Sequence, residues 1–512
     1  MHRPLLLCVL AACRVPTPQV TERVEQGGVQ ACDALLPGWT LRTLPHPAAP
    51  EHRFAGGGIA ALDADGDGHV DLLLPGPITP RLLLGPDFGA EAPLPALDGA
   101  PTGAAAADVD ADGDPDVLIT RHGQPDVFWR NDDGQFTEVA LGIDGGDRHS
   151  QSATWADVDG DGHLDLLVAG HGIPDVVDDQ VTITRPGDPT ALYLGTDDGF
   201  VDATATLPAP FREAYTFVAA PVHLDDDDRL DLYTANDYPN YLPQQPAFAT
   251  DDGYDAGPGD LGLSPHGAGM GLGIGDLNGD GVDDFLLPVW NRLILLTSRE
   301  GVGWVDTASR DGLVLPDRDE AWVGWGGELA DLDHDGLLDA VAAFGHLDTL
   351  GSLTVGGASA ANADDQPLLA WLGSPDGFTP ADLGFPTDGA HRGFVLTDWT
   401  GDGAVDLAAP RLDGGLDLLE STCPPGAWLT VSLEQPGGNR DALGAEVTVW
   451  LDDRPVRRTV RAGGTSLLSS APPVVHLGLG DLEQADVEVR WPDGEVEVFE
   501  DLASRQAIRI HR

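Results

Sequence analysis

Residues 63–71 read Asp-Ala-Asp-Gly-Asp-Gly-His-Val-Asp, with carboxylates at places one, three, five and nine and glycine at place six. The pattern returns at 108–116 (DVDADGDPD), 157–165 (DVDGDGHLD), 223–231 (HLDDDDRLD), 276–284 (DLNGDGVDD), 331–339 (DLDHDGLLD) and 398–406 (DWTGDGAVD). Successive starts lie 45, 49, 66, 53, 55 and 67 residues apart. A repeat at that period signals a propeller, a solenoid or an array. Alternate carboxylates in one tight loop converge on a hard cation, and glycine at place six permits the sharp turn between them. Without an ion, such closely spaced carboxylates repel one another. The pattern therefore points to calcium, and the expected ligands can be named loop by loop. They are Asp63, Asp65, Asp67 and Asp71; Asp108, Asp110, Asp112 and Asp116; Asp157, Asp159, Asp161 and Asp165; Asp225, Asp227 and Asp231; Asp276, Asn278, Asp280 and Asp284; Asp331, Asp333, Asp335 and Asp339; Asp398, Asp402 and Asp406.

An EF-hand is excluded. It needs a bidentate glutamate at place twelve and a helix on each side. Place twelve here holds Leu74, Ile119, Val168, Thr234, Leu287, Ala342 and Ala409. Small-residue runs such as Ala104 to Ala107 precede the loops, and short apolar runs such as Leu72-Leu73-Leu74 follow them. Both have strand length, so each loop joins two strands. A second recurrent pattern lies between the loops: an apolar run, an Asp-Gly turn and an aromatic residue. Examples are 127–136, 192–200 and 370–378. Asp-Gly between such runs is a hairpin signal and supplies the outer strands.

These loops resemble the FG-GAP/VCBS repeats of integrin-type β-propellers, over roughly residues 50–420. The resemblance implies an all-β fold, a seven-bladed β-propeller, with small residues on innermost strands where the blades crowd the central axis. His391-Arg392-Gly393, ahead of the last loop, matches the blade pattern of that family. From about residue 424 the aspartate loops stop and strict alternation begins. Trp428 to Leu433, Ala445 to Trp450 and the hairpin 487–499 around Pro492-Asp493-Gly494 read as strands. Asn439 to Ala445, His476 to Gly480 and Arg490 to Gly494 resemble the ASPIC/UnbV domain, which implies a small C-terminal β-sandwich-like domain. The combination resembles bacterial relatives of cartilage acidic protein. It implies a secreted calcium-binding protein, in which integrin-type propellers serve adhesion or protein recognition.

The expected domains are a lipoprotein-type signal at 1–12, a tether and lead-in strand at 13–50, the propeller at 51–423 and the ASPIC/UnbV-like domain at 424–512. His2-Arg3, an apolar run and Leu10-Ala11-Ala12-Cys13 form a lipobox-like start with Cys13 as the lipidated residue. A mis-assigned start codon remains the other reading. Residues 14–30 read as a flexible tether. Cys32 and Cys423 flank the propeller and are expected to pair as a disulfide that staples the ring, with two unpaired thiols as the alternative. The expected location is the outer membrane or cell surface as a lipoprotein, or the medium as a secreted form.

The chain carries 85 acidic and 27 basic side chains, a formal net charge of −58. Phosphate backbones would be repelled, which excludes nucleic acid as a partner. Membrane association is expected through the N-terminal lipid alone. The expected calcium load is five to seven ions. The fourth loop has His223 at place one and Asp228 where glycine belongs, and the seventh has Thr400 at place three, so these two sites are expected to be the weakest or empty. No His-x-x-x-His helix, Gly-x-Ser-x-Gly elbow or phosphate loop followed by lysine is present. Arg440, Asp441 and His476 fall within motif residues, where a structural role and a catalytic one are both open. Two functions stand: a calcium-stabilised surface module that binds protein or glycan, not an enzyme, or a calcium-dependent hydrolase or lyase acting on an extracellular polysaccharide in the propeller funnel. Nine of the 27 basic residues lie between Arg440 and Arg512, which leaves the propeller poor in the cations an anionic substrate would meet.

Overall fold

The computed structural model describes residues 23–26, 38–48 and 57–512, the last stretch apart from 77–78, 144, 178–179, 226, 228, 319–320, 346–353, 356–357, 360–364, 387–388 and 423–425. The signal sequence, Cys13, Cys32 and Cys423 lie outside the described residues. So the lipid anchor and the disulfide find no test in the structure.

Nearly every element is a strand, and the strands form a ring of antiparallel sheets. The first sheet holds Ile59–Leu62, Asp71–Leu74, Arg81–Leu84 and Ala90–Ala92, in sequence order from the axis outward. The second to sixth sheets repeat that order, with innermost strands Pro101–Ala107, Ser150–Ala156, Tyr215–Val222, Gly273–Gly275 and Gly324–Ala330. The seventh contains Val395–Thr397, Asp406–Pro410 and Leu416–Thr422, and its outer strand is Gly38–Leu44 from the other end of the chain. The lead-in strand thereby closes the ring, pairing Gly38 with Thr422 and Leu44 with Leu416. The Asp-Gly hairpins form as their residues dictate: Asp133 and Gly134 both take positive φ, +51° and +79°, between Val127–Asp132 and Gln135–Val139. This is an all-β propeller. Each aspartate loop lies between the first and second strand of its sheet, so the loops share one end of the central channel.

The C-terminal region forms two four-stranded sheets. One contains Ala427–Glu434, Val474–Gly480 and Gln506–His511, and the other Glu446–Leu451, Arg454–Thr459, Gln484–Arg490 and Val496–Ala503. Leu429, Val431, Val447, Val449, Leu477, Val487, Val489 and Ile508 bury one core between them. The first of these sheets gains a strand from the N-terminal side. Val24–Gln26 pairs with the last strand, Val24 opposite Ile510, and the Arg23 guanidinium bonds Glu497 at 2.7 Å. These residues had read as tether; main-chain pairing overrides their polar composition.

One segment changes the meaning of the channel. Residues 461–472 leave the C-terminal domain and thread between the innermost strands. Trp155 pairs with Ala462 and Thr154 with Gly463, while Ile59 and Ala60 run parallel to Ser469 and Ser470. Ser466 exchanges backbone hydrogen bonds with Leu272 at 2.8 and 3.0 Å, and the Leu468 carbonyl accepts from Ile59 and Ala104. Leu467 and Leu468 are fully buried there. The strap also accounts for glycines beside the axis. A Cβ on Gly393 would lie 2.2 Å from the Leu467 carbonyl oxygen, and one on Gly326 2.7 Å from Ser466 Oγ. Small inner residues therefore make room for this strap as well as for neighbouring sheets.

Candidate metal centres

Six of the seven loops share a common hydrogen-bond frame. The place-one carboxylate accepts from the backbone at place six: Gly68 donates to Asp63, Gly113 to Asp108, Gly162 to Asp157, Gly281 to Asp276, Gly336 to Asp331 and Gly403 to Asp398, at 2.8–3.1 Å. Those glycines all have φ between +82° and +107°, a region that a side chain strongly disfavours. The place-five carboxylate accepts from place seven, as His69 N–H does onto Asp67 at 2.9 Å and Asp114 N–H onto Asp112 at 3.0 Å. These turns aim the alternate carboxylates into one concavity.

The convergence is direct in four loops. Ligand atoms of Asp63, Asp65 and Asp71 lie within 4.8 Å of one another, as do those of Asp108, Asp110 and Asp112, of Asp157, Asp159 and Asp165, and of Asp331, Asp333 and Asp339. Asp157 Oδ1 and Asp331 Oδ1 are buried and meet no hydrogen-bond donor. Hard oxygens, several charges and free buried lone pairs suit calcium. Burial, reinforced by neighbouring carboxylates, raises Asp157 to about 6 and Asp331 to about 7. A divalent cation would reverse that penalty. In the fifth loop, Asn278 Oδ1 accepts from Asp280 N–H at 2.9 Å while its amide donates to Ser298.

Among the described residues the fourth, fifth and seventh loops show no such convergence of three carboxylates, and the fourth, with His223 at place one, also lacks the place-one bond of the frame. His223, at place one of the fourth, turns instead toward Glu446 of the C-terminal domain, with Nε2 3.8 Å from Oε1. Thr400 in the seventh bonds Asp398 through its hydroxyl at 3.3 Å. Asp402 and Asp406 keep their places in the frame.

Place nine has a role that the sequence did not show. Asp71 accepts Ala64 N–H on one oxygen and Gly85 N–H on the other, at 3.0 and 2.7 Å. The same pair of hydrogen bonds is accepted by Asp116, Asp165, Asp231, Asp284, Asp339 and Asp406. Each ties the start of its loop to the third strand of its sheet. So this aspartate braces the blade whether or not it also touches an ion. Its burial pushes it up, to about 6 at Asp71 and about 9 at Asp406.

The C-terminal domain sits on this face. Arg440 lies 3.4 Å from Asp108 and Arg457 3.6 Å from Asp276, both place-one carboxylates. Arg461 pairs with buried Asp283 at 3.0 Å. Arg454 donates to the Gly336 carbonyl, Asn439 N–H to that of Gly162 and His476 Nε2 to that of Gly403, at 2.7–2.8 Å. Arg440 and His476 therefore serve different loops and do not form one site with Asp441. The arginines were the signal available in the sequence. Their concentration after residue 440 is the concentration of an acidic face's counter-charges.

Comparison with known proteins agrees with this architecture. The FG-GAP-like repeat model matches residues 87–168, within the first to third sheets, and the ASPIC and UnbV model matches residues 435–512. The chain joins FG-GAP repeats to an ASPIC/UnbV domain. It is homologous to cartilage acidic protein 1: 30% identical to the Homo sapiens protein over 252 residues, which is 45% of this chain and 34% of that one. The Mus musculus protein is 30% identical over 260 residues, 47% of this chain and 36% of that one. The chain thus spans about a third of the length of these relatives. Among solved structures, BBS1N from its complex with ARL6DN is similar with a TM-score of 0.43 and 9% identity, covering 75% of this chain and 97% of that one. Among the described residues, no helix is long and apolar enough to cross a membrane. The ASPIC/UnbV domain thus provides the lid over the aspartate loops and the strap through the ring.

Proposed function

We propose that this chain is an exported calcium-binding propeller that works as a cell-surface binding or adhesion module, with calcium in a mainly structural role. The observation that carries the reading is the convergence of three carboxylates within 4.8 Å in repeated, backbone-fixed loops. Those loops are also the seat of the ASPIC/UnbV domain, so ions there would stiffen the floor on which a second domain rests. Five to seven ions fit the donor sets, with the fourth and seventh loops weakest. The ligand would be a protein or a glycan, met by the loops at the other end of the channel. Cys13 would carry the lipid that holds the molecule at the outer membrane or cell surface, and loss of that anchor would give a secreted form.

The strap supports a binder over a funnel hydrolase or lyase. A substrate bound along the axis would have to displace Leu467 and Leu468 and their backbone pairing. The test is thermal unfolding of the mature protein in millimolar calcium and then in chelator, with metal counted after dialysis. Ligand that binds only the folded state stabilises by RT ln(1 + [L]/Kd) at each site. A midpoint rise of many degrees with several bound ions is the expected result. Equal midpoints with no metal retained would overturn the calcium reading.

A further inference from the structure

The channel end away from the aspartate loops carries a group that the fold leaves uncompensated. Where the strap turns, three buried side chains have polar atoms without hydrogen-bond partners: Arg392 at Nε and Nη1, Gln151 at Nε2 and Oε1, and Ser466 at Oγ. They are 4%, 0% and 1% exposed. All three flank the same turn. A Cβ on Gly326 would lie 2.7 Å from both the Arg392 carbonyl and Ser466 Oγ, and one on Gly103 would lie 3.0 Å from both the Gln151 carbonyl and Leu468 Cα.

Arg392 is the decisive residue. Its guanidinium carbon lies 4.5 Å from the ring centroid of Trp325, itself buried. The aromatic face attracts a cation but brings no negative charge. Burial alone lowers Arg392, to about 10, and leaves it charged at neutral pH. Among the described residues, no carboxylate pairs with it. Arg461, by contrast, enters the other end of the channel and is met by Asp283 at 3.0 Å. A buried charge without a counter-charge is costly. Water can satisfy Gln151 and Ser466, yet it leaves the Arg392 charge unbalanced. Arg392 keeps 4% exposure, and Nη2 is the one guanidinium nitrogen outside its buried, unpartnered set.

We propose that Arg392, backed by Trp325 and the turn of the strap, binds one monovalent anionic group at the channel mouth, either a free halide or the carboxylate of a larger ligand. The site is independent of calcium and lies at the end where a surface ligand would be met.

The test uses the full chain in saturating calcium. Crystals grown in sodium bromide are expected to show anomalous density within about 3.5 Å of the Arg392 guanidinium, a charge-assisted contact distance. In solution, the thermal midpoint should climb with bromide or chloride at constant ionic strength, made up with methanesulfonate, and the climb should vanish in Arg392→Met. Acetate and longer carboxylates added to the bromide crystals separate the two sources. Displacement of the anomalous peak identifies a carboxylate receptor, and persistence identifies a halide site. Water density alone beside Arg392, with midpoints of the wild-type protein indifferent to halide, would overturn the proposal. The crystal measurement keeps this outcome reachable if Arg392→Met does not fold.

Discussion

His334 of the sixth aspartate loop and His476 of the ASPIC/UnbV domain face each other across the domain boundary, their ring centroids 4.9 Å apart. His476 Nε2 donates to the Gly403 carbonyl of the seventh loop at 2.7 Å, and Trp428 stacks on its other side with centroids 6.4 Å apart. Burial lowers His476 to about 4, against the pull of the Gly403 carbonyl and with a smaller push from Arg458.

That contact makes docking sensitive to acid. Between its folded value and the ordinary value near 6.5, His476 is neutral in the folded chain and protonated in the unfolded one. Stability is then complete above the unfolded value and is lost as pH falls below it. At 1.36 kcal/mol per unit, roughly 2 kcal/mol should go between about pH 6.5 and pH 5. Urea unfolding in saturating calcium, at those two pH values, checks this. His476→Gln should reduce the dependence by about that amount, leaving the share of His334, which burial lowers to about 3, and an unchanged slope would reject the assignment.

Places three and nine of a loop should separate in mutagenesis. Asp65→Ala removes a carboxylate from the converging set and should lower the calcium-bound midpoint while leaving the chelated protein nearly unchanged. Asp71→Ala strands the backbone N–H groups of Ala64 and Gly85. Each unsatisfied donor costs about 1–3 kcal/mol, so this variant should be weakened with and without calcium. Paired melts in calcium and chelator distinguish the two patterns.

Two glycine substitutions test the strap. A Cβ on Gly393 meets the backbone oxygens of Leu467 and Gly57 at 2.2 and 2.5 Å, which no side-chain rotation relieves. Gly393→Ala should therefore cost about 3 kcal/mol. Gly89 has open space around its Cβ position and no left-handed φ, so Gly89→Ala should fall within about 0.5 kcal/mol of wild type. Denaturant midpoints read both.

Removing apolar contact from the strap should have a comparable effect without a clash. Leu467→Ala leaves a void at a fully buried position in the channel. The expected loss is about 2–5 kcal/mol. Hydrogen exchange should then rise at the partners of the strap, beginning with Ile59 and Leu272, whose N–H groups donate to Leu468 and Ser466.

Much of this architecture is legible in the chain because its signals are local. A nine-residue loop with glycine at place six determines its own turn, and Asp133-Gly134 determines its own hairpin. The strap is not legible for the opposite reason. Arg-Ala-Gly-Gly-Thr-Ser-Leu-Leu-Ser-Ser reads as an ordinary small-residue connection, and only the ring around it gives Leu467 a place to be buried. The pair of hydrogen bonds accepted by Asp71 is hidden likewise, because Gly85 reaches it through strand pairing and not through sequence proximity. His223 looks like a damaged ligand until Glu446 is brought beside it.

The outer strand of the seventh sheet, Gly38–Leu44, pairs with Leu416–Thr422. In the order of synthesis, the early strand must wait for almost the whole ring to be made. Val24–Gln26 waits longer still, for Gln506–His511. A growing chain therefore cannot finish either domain piecemeal. The closing contacts form late and in turn, so truncated products are left with an unmatched strand edge.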